Sequence, residues 1–83
     1  MTAENTLDLR GERLDDAIRE TDKFIDLALQ RGWRNAFFIH GHGTGVLREG
    51  LRRHFDECPY VARWKAAERG QGGDGVSVIW LAD

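Results

Sequence analysis

The sequence predicts an α/β domain in the order strand, helix, strand, helix, strand, strand, and three observations carry that prediction. A stretch of period-two alternation opens the chain, a long run with apolar residues at spacings of three and four follows, and a short apolar run then breaks into alternating glycines. At 83 residues there is room for one domain, spanning 1–83, and one core. That length lies a little above the size at which small domains need disulfide or metal staples.

"TLDLRG", residues 6–11, alternates as a strand with one covered and one open face should. Leu7 and Leu9 then point inward, Asp8 and Arg10 point the other way, and Gly11 ends the strand. Residues 13–31 carry Leu14, Ala17, Ile18, Thr21, Phe24, Ile25, Ala28 and Leu29 on one helical stripe, closed by Gly32. "NAFFIH", residues 35–40, reads as a buried strand, and "GHGTG" turns the chain into a second helix with Thr44 as its expected N-cap. That helix should run to about Asp56, with Leu47, Leu51 and Phe55 inward and Arg48, Arg52 and Arg53 around the rest, before Pro59 forbids continuation. "YVARWKA" and "GVSVIWL" are the third and fourth strands, separated by "AERGQGGDG", a glycine-rich loop free to move or to close on a ligand.

Two parallel strands joined by a helix cross over right-handed, so the first two strands end at the same edge of the sheet. Asp8, Arg10 and Gly11 are thereby brought beside His40 through Gly45. Ligands of open α/β sheets bind outside these carboxyl ends.

A formal net charge of −2 excludes binding of nucleic acid through a bulk positive field. The acid is concentrated early: residues 1–32 hold five Lys or Arg against eight Asp or Glu, residues 33–83 seven against six. An anion site must then be local, built from a few arginines and backbone amides. The lone Cys58 allows no internal disulfide, which fits a reducing cytoplasm, and neither a membrane span nor a signal peptide is present in the sequence. The close trimming around the first and last strands suggests a module of a longer chain.

Gly41, Gly43 and Gly45 lead directly into a helix N-terminus, where free amides and the helix dipole favour a phosphate. Val46 breaks the dinucleotide spacing GxGxxG, and no Gly-Lys-Ser/Thr follows, so neither a nicotinamide nor a triphosphate loop is present. The plainer alternative is a tight turn with no ligand. His40 and His42 could pair on a metal with Asp8 as a third ligand, but hydrogen bonding to phosphate or proton donation is the more economical use. Arg10 can fork onto a phosphate, and Asp8 can orient water or hold a divalent cation such as Mg or Mn. Arg48 and Arg52 extend an anionic track, unless Arg52 pairs with Asp56 one turn away. Trp33, Trp64 and Trp80 read as core before they read as base-stacking surfaces, and His54 and Cys58 as packing or surface.

The three blocks "LDLRG" (7–11), "HGHGTGVLR" (40–48) and "GGDGVSVIWL" (72–81), in that order, resemble a small MutS-related (Smr) domain, the C-terminal module of bacterial MutS-II-type proteins. His40, Gly41, Gly43 and Gly45 match that family's HGxGxG, with His42 where a Lys or Arg is common. The resemblance implies a two-layer α/β sandwich with a four-stranded mixed sheet and two helices on one face. It also implies nucleic-acid binding and DNA nicking, with Asp8 and Arg10 catalytic and the HGxGxG turn on the backbone. The expected site is therefore Asp8 and Arg10 for hydrolysis, with Gly11, His40, Gly41, His42, Gly43, Thr44, Gly45, Arg48 and Arg52 holding nucleic acid. Partners implied are DNA, with RNA or the ribosome as alternatives, and the ATPase and dimerisation domains of a parent chain acting in repair or recombination control. The competing expectations are a non-catalytic module for branched DNA or structured RNA and, more weakly, a protein-interaction module.

Overall fold

The computed structural model describes residues 1–83. Strands β1 (Thr6–Asp8), β2 (Asn35–Ile39), β3 (Val61–Ala66) and β4 (Val76–Leu81) alternate with helices α1 (Leu14–Arg31) and α2 (Val46–Glu57) in the anticipated order. The sheet runs β1-β2-β4-β3, with β1 parallel to β2 and the other neighbours antiparallel.

Both helices cover one face. Alternation along β2 sends Ala36 and Phe38 towards them, where they meet Leu9, Ala17, Ile25, Leu51, Phe55 and Ile79 in the main core. Phe38 and Phe55 pack tilted with their ring centroids 5.1 Å apart. The other face of the sheet carries a smaller cluster of Phe37, Ala67, Val76 and Val78, flanked by Ile39 and Trp80. Neither helix is long and apolar enough to cross a membrane.

Helix α1 ends where Gly32 takes φ 71°, letting its own amide and that of Trp33 cap the carbonyls of Leu29 and Ala28. Leu29, assigned to the inner stripe from spacing, is 38% exposed at that last turn. Gly50 of α2 lies against α1, where an added Cβ would sit 2.5 Å from a Leu14 methyl. His54 then joins them through Asp22 Oδ1 at 2.6 Å.

Three expectations needed adjustment. The first strand stops at Asp8 rather than Gly11, although the Leu9 amide still donates to the Ile39 carbonyl. Helix α2 starts from Gly45 at φ 86°, with Thr44 one residue further out and its Oγ1 only 3.4 Å from the Val46 amide. The glycine-rich loop is not free over its length: it folds into two short 3-10 turns, Arg69–Gln71 and Gly73–Gly75, and its last residues are bonded to the glycine turn.

Candidate nucleic-acid interface

Parallel pairing puts Asp8 beside Ile39, so the chain leaving β1 meets the chain leaving β2 at one edge. Arg10 doubles back on Asp8: its amide and Nε donate to Oδ1 at 3.0 Å each, and Nη2 donates to Oδ2 at 2.7 Å. This hydrogen bonding, with the charge of Arg10, holds the Asp8 carboxyl down at about 2. The arginine stem lies against the glycine turn, with Cγ 3.5 Å from where a Cβ on Gly41 would sit. Gly41, at φ 78°, is needed for its backbone conformation rather than for space, since a Cβ there would only touch the Arg10 stem.

Between that turn and the start of α1 lies a cleft of about 320 Å³, bordered by Gly11, Arg13, the stretch His40–Val46 and Arg48. The N-termini of both helices meet it. Neither Arg13 nor Gly45, the residues preceding them, makes a side-chain cap, so amides that a helix cannot satisfy internally remain available for an anion. Glu12 also lines the cleft, and the hydrogen bond it shares with Glu20 raises its carboxyl above the ordinary value.

The wall behind the turn is a chain of hydrogen bonds that the sequence did not reveal. Arg52 donates from Nε to Ser77 Oγ at 2.9 Å and pairs through Nη1 with Asp74 Oδ1 at 3.0 Å. Asp74 Oδ2 takes Arg48 Nη1 at 3.0 Å. His40 places Nε2 2.8 Å from Ser77 Oγ and Nδ1 3.0 Å from the Gly41 carbonyl. A carbonyl only accepts, so Nδ1 carries the proton of the neutral ring and Nε2 accepts from the serine hydroxyl, whose lone pair receives Arg52. Burial lowers the pKa of His40, against the raising effect of the Gly41 carbonyl, and keeps that tautomer neutral.

The anticipated residues thus separate into two groups. Gly11, Gly41, His42, Gly43, Thr44, Gly45 and Arg48 line the cleft, with His42 exposed, and Arg10, paired with Asp8, adjoins it against Gly41. His40 is 6% exposed with both nitrogens engaged, and the Arg52 side chain is 12% exposed, so these two support the turn from behind. Arg52 does not pair with Asp56, which instead accepts from Trp64 Nε1 at 2.7 Å, while the Arg52 guanidinium lies 4.8 Å from the Trp64 ring centre. Asp74 and Ser77 were missed because they lie 26 and 37 residues from their partners Arg48 and His40. The one signal was their place in the third block, "GGDGVSV".

The donor set does not suit a resident cation. No group of three or more His, Cys, Asp or Glu side chains converges anywhere in the fold, His40 is occupied, and Asp8 is saturated by Arg10. The His40, His42 and Asp8 metal triad is not assembled.

Comparison with known proteins now decides the family, because the Smr domain matches residues 7–82, nearly the whole chain. The chain belongs to the Smr domain family. Its relatives include the proteins called Endonuclease MutS2 from Anaeromyxobacter sp. (strain Fw109-5), 41% identical over 78 residues, and from Maridesulfovibrio salexigens, 44% identical over 75. These alignments cover 94% and 90% of the present chain but 10% of each relative, so this Smr domain spans about a tenth of their length. The crystal structure of the Smr domain of Thermus thermophilus MutS2 superposes with a TM-score of 0.93 at 33% identity, covering 95% of this chain and 99% of that one. YdaL, a stand-alone small MutS-related protein from Escherichia coli, gives 0.92 at 25% identity, covering 99% and 67%.

The buried network of this Smr domain makes a pH prediction. A histidine with a lowered folded pKa binds fewer protons folded than unfolded, so its contribution is complete at high pH and is lost as pH falls through the unfolded value near ~6.5. Asp8 and Asp74, both lowered by arginines, add a second loss only below ~4. Urea midpoints are expected to fall between pH 7 and 5.5 in the wild type and to flatten over that range in His40→Asn. Equal slopes in the two proteins would assign the proton uptake elsewhere.

Proposed function

We propose that this Smr domain holds a nucleic-acid backbone at the glycine turn and hydrolyses one phosphodiester of DNA, producing a nick. The observation that carries the proposal is the Asp8–Arg10 pair lying against Gly41 at the lip of a cleft that receives two uncapped helix N-termini. The names of the relatives point to the same chemistry. In this reading the turn amides and Arg48 seat the phosphate. Arg10, whose Nη1 is not used by Asp8, offsets charge on the pentavalent transition state.

With its carboxyl near 2, Asp8 is ionised at neutral pH and too weak a base to take a proton fully. Its role is to accept a hydrogen bond from the attacking water and to orient Arg10. Water adds to phosphorus and releases its proton to solvent, the bond to the leaving sugar oxygen breaks, and that oxygen takes a proton from His42, the exposed imidazole at the turn. Within a longer MutS2-type chain, such a nick would serve repair or recombination control.

A second reading, a module that binds branched DNA or structured RNA without cutting, is favoured by one feature. Arg10, Arg48 and Arg52 are all already paired with carboxylates, which suits a weak contact that partner domains reinforce. Purified domain incubated with supercoiled plasmid, with and without Mg or Mn, separates the two. Conversion to open circle supports the nuclease. Folded domain that binds plasmid with a steep salt dependence and leaves it closed supports the binding module.

A further inference from the structure

The arginines around the glycine turn are neutralised, yet Arg63 and Lys65, on β3 at the far edge of the sheet, make no ion pair, and both are exposed. Simple alternation would place Val61 and Arg63 on the same face. A bulge between them changes this: Val61 pairs with Leu81 and packs towards the main core, whereas Arg63 pairs with Trp80 on the helix-free face. The Arg63 guanidinium then lies 4.1 Å from the Trp80 ring centre, and Lys65 Nζ lies 5.9 Å from it.

Beside Trp80 a cleft of about 520 Å³ runs to Trp33 and the exposed, unpaired Arg34, with Asp83 as the one acidic side chain on its wall. Aromatic rings interleaved with free cations suit a flexible strand with unpaired bases, because every base has a π face and every linkage a charge. Asn35, opposite Trp80 in the register, has its side-chain oxygen taken by Asn5 at 3.2 Å. That oxygen is therefore not free to accept from a ribose 2′-hydroxyl.

We propose that the helix-free face, through Trp80, Arg63, Lys65 and Arg34, is a second nucleic-acid surface that binds single-stranded DNA by base stacking and phosphate contact. It is separate from the glycine turn and stands whether or not that turn cuts DNA.

The test is fluorescence anisotropy of a labelled dT12 oligonucleotide in low salt, titrated with wild-type domain, Arg63→Glu/Lys65→Glu and Trp80→Ala, with rU12 and a hairpin duplex as comparisons. The double charge reversal sits on exposed positions and should leave the circular dichroism spectrum unchanged. It is expected to weaken dT12 binding at least ten-fold and, counting the two phosphate contacts removed, to reduce the salt slope by about 1.4. Trp80→Ala is expected to lose about ten-fold with a smaller change in slope. No dT12 binding by the wild type, unchanged binding by the charge-reversed protein, or tenfold tighter binding of rU12 or duplex would each overturn the assignment. Plasmid nicking, read separately on the same preparations, reports on the glycine turn alone.

Discussion

Asp8→Asn is expected to reduce nicking of supercoiled plasmid at least about a hundred-fold, the scale at which removal of one group acting on the transition state is felt, while leaving the fold and the affinity for uncut DNA nearly unchanged. The fold should tolerate it because Asp8 is on the solvent side of β1 and its ion pair with Arg10 is exposed on both sides, where water screens it. Activity should not tolerate it. The amide presents one acceptor where the carboxylate presented two, and Arg10 loses the fork that holds its guanidinium towards the turn. Arg10→Lys keeps the positive charge and loses the fork, so a comparable drop there would assign Asp8 mainly to positioning. The pH profile gives an independent reading: with Asp8 near 2, no acid limb from it should appear between pH 5 and 8. Full activity of Asp8→Asn would remove that residue from the chemistry.

The second large effect is expected on stability, at a residue with no direct contact to a ligand. Ser77 is fully buried and its single oxygen serves both the His40 ring and the Arg52 guanidinium. Ser77→Ala leaves an imidazole nitrogen and an arginine donor buried without a partner, at about 1–3 kcal/mol for each unsatisfied group. A total destabilisation of about 2–4 kcal/mol is anticipated, which for a domain of this length lowers Tm by on the order of 10 °C or more. Arg52→Met in the same background should recover part of the loss, since the orphaned donor is removed with it. If urea melts of the alanine variant lie within about 0.5 kcal/mol of wild type, the range of an ordinary surface change, the network is not carrying the wall of the turn.

The element order, both helices and the meeting of "LDLRG" with the glycine turn were legible because each follows from local periodicity plus one handedness rule. Leu9 was placed inward for the same reason, and the run containing Phe38 was read as a buried strand. Asp74 and Ser77 were not legible, since their importance depends on how β4 pairs with β2: the register sets Ser77 opposite Phe38, two residues from His40, and no short-range pattern encodes that. The Val61 to Arg63 bulge was hidden in the same way, because a strand of alternating character gives no sign of an extra residue. His40 shows the limit of motif matching. The motif located it correctly at the turn, but only the tertiary contacts reveal that its side chain faces inward.

The amides of His40 and Gly41 both donate to the Gly75 carbonyl, so the near half of the turn is fastened to the short 3-10 turn just before β4 through the backbone as well as through side chains. Gly43 and Thr44, further along, are exposed. A ligand arriving at this edge therefore meets one half already frozen in place and needs to order only a few residues of the other, which limits the entropy lost on association. Calorimetry of phosphate-backbone binding should accordingly show a smaller unfavourable entropy than a glycine-rich segment of this length would suggest, and loosening the Gly75 anchor should increase it with little change in the contacts finally made.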